Sequence, residues 1–92
     1  MDMRIDRLWL IMRLAECEAV YPTGRSQEEL ALLADIWAQD LEGQDREAVG
    51  RAFVLHRQES GRFPCPADIL RLLPRCRHAE RRQDAAALPV ET

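Results

Sequence analysis

The stretch FPCPADILRLLP, residues 63–74, places two prolines either side of one cysteine, continues with apolar residues at helical spacing and ends on a third proline. Pro66 suits the first position of a helix, where the missing amide hydrogen leaves no bond unmade, and Cys65 would then be the N-cap. The pattern predicts a short helix over 66–73 that ends before the third proline. We expect this helix, together with Phe63, to close the core of a helical bundle.

The chain before this stretch predicts three longer helices. Residues 3–20 contain neither glycine nor proline, and the turn sequence YPTGR follows them. Ser26 and Glu29 have the spacing of a capping box, which predicts a second helix over 27–41. A third helix is predicted over 45–60, with a glycine after it. The fold class is therefore all-α: a small three-helix bundle with a short fourth helix, whose aromatic core brings together three side chains, Trp37, Phe53 and Phe63.

The first helix carries apolar residues on two sides. Its inner face is predicted from residues at i, i+3 and i+4 spacing, namely Ile5, Leu8, Met12, Ala15 and Ala19. Leu10 and Leu14 lie on the opposite side. A helix that is apolar nearly all round is either central in its domain or in contact with a second body. Both interpretations stay open, and Leu10 and Leu14 are candidate partner-binding residues.

Charge is distributed unevenly along the chain. The net charge is −3, yet residues 1–70 hold eight arginines against thirteen carboxylates, and residues 71–82 hold five arginines against Glu80. The five are further candidate partner-binding residues: Arg71, Arg75, Arg77, Arg81 and Arg82. We expect a bundle domain over 1–74 and a flexible Arg-rich tail over 75–92, because the tail has too few large apolar residues to order itself. A frayed, solvated terminus is the alternative interpretation.

Composition and motifs disfavour an enzyme, a metal-binding protein, a nucleic-acid-binding protein and a membrane protein. Ninety-two residues are enough for one small domain. No phosphate-binding loop, nucleophile elbow or zinc-protease motif occurs, so we expect a protein that is not an enzyme and has no cofactor. Cys65, Cys76 and His78 do not have the spacing of a zinc finger, and no metal is expected. The acidic balance disfavours direct binding of nucleic acid. The longest apolar run, residues 8–12, is too short for a membrane span, and a cytoplasmic location is expected.

One resemblance adds a specific function. A Tyr-Pro pair (Tyr21 and Pro22) precedes a helix that contains Trp37, and the segment DLEGQDREAVGRAFVLHRQESGRFPCPADIL follows. This order resembles the phage replicative-helicase loader/inhibitor family, over residues 5–73. The matching positions are Tyr21, Pro22, Trp37, Leu41, Val49, Ala52, Phe53, Phe63, Pro66, Ala67, Asp68 and Ile69.

The resemblance implies a helical N-terminal domain and a C-terminal segment that contacts a hexameric replicative DNA helicase. It further implies that the protein inhibits the helicase or loads it during phage DNA replication, with a phage origin-binding protein as a possible second partner. Two other functions stay open on the residues alone. One is a small helical inhibitor of another host or phage machine, and the other is a DNA-binding accessory protein that uses the same basic segment on phosphates.

Overall fold

The computed structural model describes residues 5–87, with side chains described as far as Cys76. Within that range the chain forms four helices and no strand, so the predicted all-α fold is confirmed. α1 packs against α2, and α3 packs against α4. The helices are α1 (Arg7–Val20), α2 (Gln27–Asp40), α3 (Arg46–Glu59) and α4 (Pro66–Ala87).

Side-chain caps fix where the first three helices begin. The predicted capping box of α2 is present: the Ser26 side chain accepts from the Glu29 amide, and Glu29 accepts from the Ser26 amide. Asp45 caps α3 through the amide of Ala48. The first helix begins later than predicted, at residue 7, because the Asp6 carboxylate accepts a 2.8 Å bond from the amide three residues on. Each cap satisfies an amide that has no partner inside the helix.

The predicted inner face of α1 is wrong except at Ile5, which precedes the helix and is half-buried against the core. Leu10 and Leu14 are fully buried, whereas Leu8 is 68% and Met12 52% exposed. Tyr21, just beyond the helix, follows Leu10 and Leu14 at helical spacing and lies on the same side. The buried face of α1 is therefore the one that Tyr21 continues into the following turn.

Tyr21 contacts the end of α3 on the buried side of α1. Its hydroxyl donates a 3.0 Å hydrogen bond to the carbonyl of Ser60, just beyond α3. Its ring meets the buried ring of His56 edge-on, with centroids 6.1 Å apart. His56 is thus a packing residue, and its Nε2 lies 2.8 Å from the carbonyl of Arg62. These contacts fasten the end of α1 to the end of α3.

The aromatic core agrees with the prediction in two of its three members. Trp37 is fully buried and stacks on Phe53, with ring centroids 5.3 Å apart and planes inclined by 20°. Trp9 meets Phe53 edge-on at 6.4 Å. Phe63 is half-buried at the rim, where the guanidinium of Arg25 lies 4.5 Å from its ring centroid. Phe63 therefore covers the core from outside and does not join the Trp37–Phe53 stack.

The predicted end of the fourth helix at Pro74 is also wrong. α4 continues through Pro74, which has no amide hydrogen for the carbonyl four residues earlier, as far as Ala87. Contacts beyond the proline compensate, since Cys76 is buried and Arg75 makes two bonds, of 2.9 and 2.7 Å, to the carboxylate of Glu59. The packed structure thus extends past the expected boundary between residues 74 and 75. Residues 88–92 of the predicted tail lie outside the described residues, and flexibility over 77–92 stays a prediction.

Candidate partner-binding surface

A buried carboxylate holds the start of α4. Asp68 is 3% exposed, and its Oδ2 accepts a 3.0 Å hydrogen bond from the amide of Cys65, the residue that precedes the helix. Its Oδ1 accepts from the guanidinium groups of Arg62, at 2.9 Å, and Arg71, at 2.5 Å. The predicted N-terminus at Pro66 is confirmed. Asp68 supplies one half of a capping box and joins α4 to the connection that precedes it.

The environment of Asp68 favours its charged form. Burial opposes ionisation, but the Cys65 amide, followed by the positive charges of Arg62 and Arg71, outweighs it and holds the pKa of the carboxyl below its ordinary value. The stabilisation is complete above the pKa of the unfolded chain, about 3.9. It is lost as pH falls through the lower pKa of the folded protein. Asp68 therefore makes folding sensitive to acid.

We expect Asp68→Asn to lower the free energy of unfolding by about 2 kcal/mol at neutral pH, because charge-assisted hydrogen bonds are weakened. The difference from wild type should shrink below about pH 4, where the wild-type carboxyl also becomes protonated. Urea denaturation followed by circular dichroism at several pH values measures the loss at neutral pH and its decrease in acid. The matched control is Asp35→Asn, since Asp35 pairs with Arg7 on an exposed surface and should cost under ~1 kcal/mol. A pH-independent loss in Asp68→Asn would contradict the electrostatic role.

The structure divides the five arginines that the sequence singled out. Arg71 and Arg75 both pair with carboxylates of their own chain, Asp68 and Glu59, while staying 68% and 55% exposed. Arg77, Arg81 and Arg82 belong to the backbone of the distal half of α4, and their side chains lie outside the described set. Arg75, the first residue of the predicted tail, thus folds back on the acidic body of its own chain. A partner that binds Arg71 or Arg75 must compete with these internal pairs.

The two apolar candidates do not form a binding surface. Leu10 and Leu14 are both 0% exposed and belong to the core, so their assignment as partner-binding residues is wrong. Most of the large apolar side chains that are exposed lie on the other side of α1 and on the outer side of α2. These side chains are Leu8, Met12, Leu32 and Ile36. The i, i+4 spacing of Leu32 and Ile36, off the Trp37 face of α2, is the sequence signal that indicates this surface.

The described side chains include two cysteines whose burial disfavours the thiolate, Cys17 and Cys76, and no cluster placed to hold a metal ion. Burial, with a smaller contribution from Glu16, raises the pKa of the Cys17 thiol to about 11, so the thiol is protonated at neutral pH and is a weak nucleophile. Cys65 is exposed and Cys76 is buried. In the part of the chain that the structure describes, no three His, Cys, Asp or Glu residues are placed to hold a metal ion.

None of the helices in the described range combines the length and apolar character that crossing a membrane requires.

Comparison of the chain with protein-family models, curated proteins and solved structures found no match. The resemblance to the helicase loader/inhibitor family therefore depends on the order of residues given above.

Proposed function

We propose that this chain binds a hexameric replicative DNA helicase and inhibits or loads it during phage DNA replication, acting as a binding protein without catalysis. The observation that carries the proposal is the convergence of the resembling residues in space. Trp37 and Phe53 stack in the core, and Tyr21 contacts the end of α3. Ile69, fully buried, and Asp68 fix the start of α4. Residues that are scattered in the sequence thus belong to one packed core and to the start of the fourth helix.

That helix is the element on which we place the helicase contact. The last core side chain among those described is Cys76, and the helical backbone continues for about 16 Å beyond it at 1.5 Å per residue. The sequence of this extension contains Arg77, Arg81 and Arg82. Arginine binds carboxylates through paired hydrogen bonds, so an acidic surface of the helicase is the expected counterpart.

A capture experiment with purified replicative helicase tests the proposal. We expect the full chain to retain the helicase and a chain cut after Cys76 to lose it, while the melting temperature of the cut chain stays close to wild type because the core side chains remain. Capture should weaken as salt is added, because the proposed contacts are between exposed charges. Analytical size exclusion of the mixture gives a second measure of the complex.

Charge reversal separates the proposed contact from a general effect of charge. Arg81→Glu should reduce capture by about tenfold or more, while Arg57→Glu, at an exposed position on α3, should leave it within about twofold. Equal capture by the full and shortened chains would overturn the placement on α4. Failure of the full chain to bind any replicative helicase would overturn the function itself. Binding of duplex DNA by the full chain would instead support the accessory-protein alternative.

A further inference from the structure

An open cleft lies between the end of α3 and the start of α4. Its volume is about 190 Å³, far above the roughly 10–15 Å³ that one water molecule needs. Five charged or polar side chains of its lining come from the two sides of the cleft: Glu59, Ser60 and Arg62 from the end of α3 and the connection after it, and Asp68 and Arg71 from α4. The cleft therefore has room for a small polar group.

Two guanidinium groups converge at this cleft. The Nη2 atoms of Arg62 and Arg71 lie 2.9 and 2.5 Å from the same oxygen of Asp68, so they are no more than 5.4 Å apart. A guanidinium has five N–H donors, and the contact with Asp68 uses one donor of each arginine. The two arginine side chains are 67% and 68% exposed. Their remaining donors are therefore accessible to a second acceptor, which competes with Asp68 only in part.

The two carboxylates in the lining are already paired with cations. Asp68 is 3% exposed and bonds to both guanidinium groups. Each carboxylate oxygen of Glu59 accepts a bond from Arg75, at 2.9 and 2.7 Å. These pairs contain three arginines and two carboxylates, so one positive charge is left in excess. The cleft therefore favours an anionic ligand.

Hydrogen bonds hold the connection that carries Arg62. The carbonyl of Ser60 accepts a 3.0 Å bond from the Tyr21 hydroxyl, and the carbonyl of Arg62 lies 2.8 Å from Nε2 of His56. The hydroxyl oxygen of Ser60 accepts from the Arg62 amide at 3.4 Å, so its own hydrogen remains to donate. Because Asp68 also holds the Arg62 guanidinium, these donors lose little conformational freedom when a ligand binds.

The set of donors matches a phosphate group. Two guanidinium groups and one hydroxyl surround the cleft, and the phosphate of a monoester presents three strong acceptor oxygens. Arginine binds phosphate through paired, charge-assisted hydrogen bonds. A carboxylate has fewer acceptor oxygens, all in one plane, and a single guanidinium satisfies it. A nucleic-acid backbone repeats its charge along its length, which a small cleft with one excess positive charge does not match.

We propose that this cleft binds the phosphate group of a small phosphate monoester, with Arg62 and Arg71 as the charged contacts and Ser60 as a neutral donor. The site lies at the start of α4 and does not depend on the proposed helicase contact.

Titration of the full ¹⁵N-labelled chain with inorganic phosphate, followed by NMR at fixed ionic strength, tests the site. Signals from residues 59–62 and 68–72 should shift and saturate, with a dissociation constant on the order of 1 mM. Glycerol 3-phosphate, a monoester, should bind at least as well. Dimethyl phosphate, a diester, and acetate should each bind about tenfold more weakly, because they offer fewer acceptor oxygens.

Substitutions assign the binding to named side chains. Arg71→Gln should weaken phosphate binding by about tenfold or more, and Arg71→Lys should recover only part of it, because the charge returns without the planar fork. Arg62→Gln should give a similar loss, which keeps the test valid if circular dichroism shows that Arg71→Gln does not fold. The matched control is Arg7→Gln, since Arg7 is also exposed and paired with a carboxylate, and binding should stay within about twofold.

Three results would overturn the proposal. Chloride at the same ionic strength could produce the same shifts, or phosphate binding could survive both Arg71→Gln and Arg62→Gln, and either result would show that no specific site exists. Acetate that binds as tightly as phosphate would assign the cleft to carboxylates. Dimethyl phosphate that binds as tightly as glycerol 3-phosphate would assign it to a nucleic-acid backbone.

Discussion

Replacing Trp37 by alanine is expected to lower the free energy of unfolding by about 3–5 kcal/mol, the range measured for large aromatic residues in cores. Trp37 is fully buried, and its ring stacks on Phe53 at 5.3 Å. Removal leaves a cavity between α2 and α3 that the surrounding helices can fill only in part. Small domains lie toward the low end of the usual total stability of about 5–15 kcal/mol, so the substitution should remove much of the stability and lower the melting temperature steeply. Thermal melting followed by circular dichroism measures the loss.

Two further substitutions show whether burial causes the effect. Trp37→Phe keeps a ring against Phe53 and removes an indole Nε1 that has no hydrogen-bond partner among the described residues, so it should cost much less than alanine. Trp9→Ala removes a half-buried ring that touches Phe53 only edge-on, and it should also cost less. A melting temperature unchanged by Trp37→Ala would show that Trp37 is not a core residue in solution.

The sequence was sufficient for those parts of the fold that local chemistry determines. The capping box of Ser26 and Glu29 gave the start of α2, and Pro66 gave the start of α4. The core positions of Trp37 and Phe53 were also predicted correctly, because each residue lies in the one dominant apolar row of its helix. In these places a single pattern had a single interpretation.

The rotation of α1 could not be obtained in the same way. Both the row through Leu8 and Met12 and the row through Leu10 and Leu14 have helical spacing, so periodicity alone cannot choose between them. The choice depends on contacts between segments that are far apart in the sequence, such as the bond of Tyr21 to Ser60. The same ambiguity explains why the row through Leu8 and Met12, which the pattern assigned to the core, is the exposed one.

The length of α4 also depends on contacts that no local pattern contains. Pro74 is a sound signal for the end of a helix, since it removes one backbone hydrogen bond. Here the next turn is held by Arg75, which bonds to Glu59 on α3, and by the burial of Cys76. Because the partner residues lie on another helix, only the packed structure shows that the helix continues.

Ile69→Asp should be the most damaging single change in α4, with a loss of at least about 4 kcal/mol. Ile69 is fully buried, and the two cations that bond at the start of α4, Arg62 and Arg71, are already paired with Asp68. A carboxylate at position 69 would either remain charged without a partner or be protonated at a cost in free energy. Urea denaturation followed by circular dichroism measures the loss.

Milder substitutions in the same segment separate the contribution of Ile69 packing to stability from that of the rigid proline at position 66. Ile69→Val should cost only about 0.5–1.5 kcal/mol, since one methylene is lost. Pro66→Ala should cost under ~1 kcal/mol, because a proline at the first helical position acts mainly by restricting the unfolded chain. Small and equal effects of all three variants would mean that the start of α4 does not dock on the bundle. If Ile69→Asp instead unfolds the whole chain in one transition, α4 belongs to the same cooperative unit as the α1–α3 core. The proposed helicase contact needs such a unit, because the distal part of α4 can only be held in a fixed direction if the start of the helix is packed on the core.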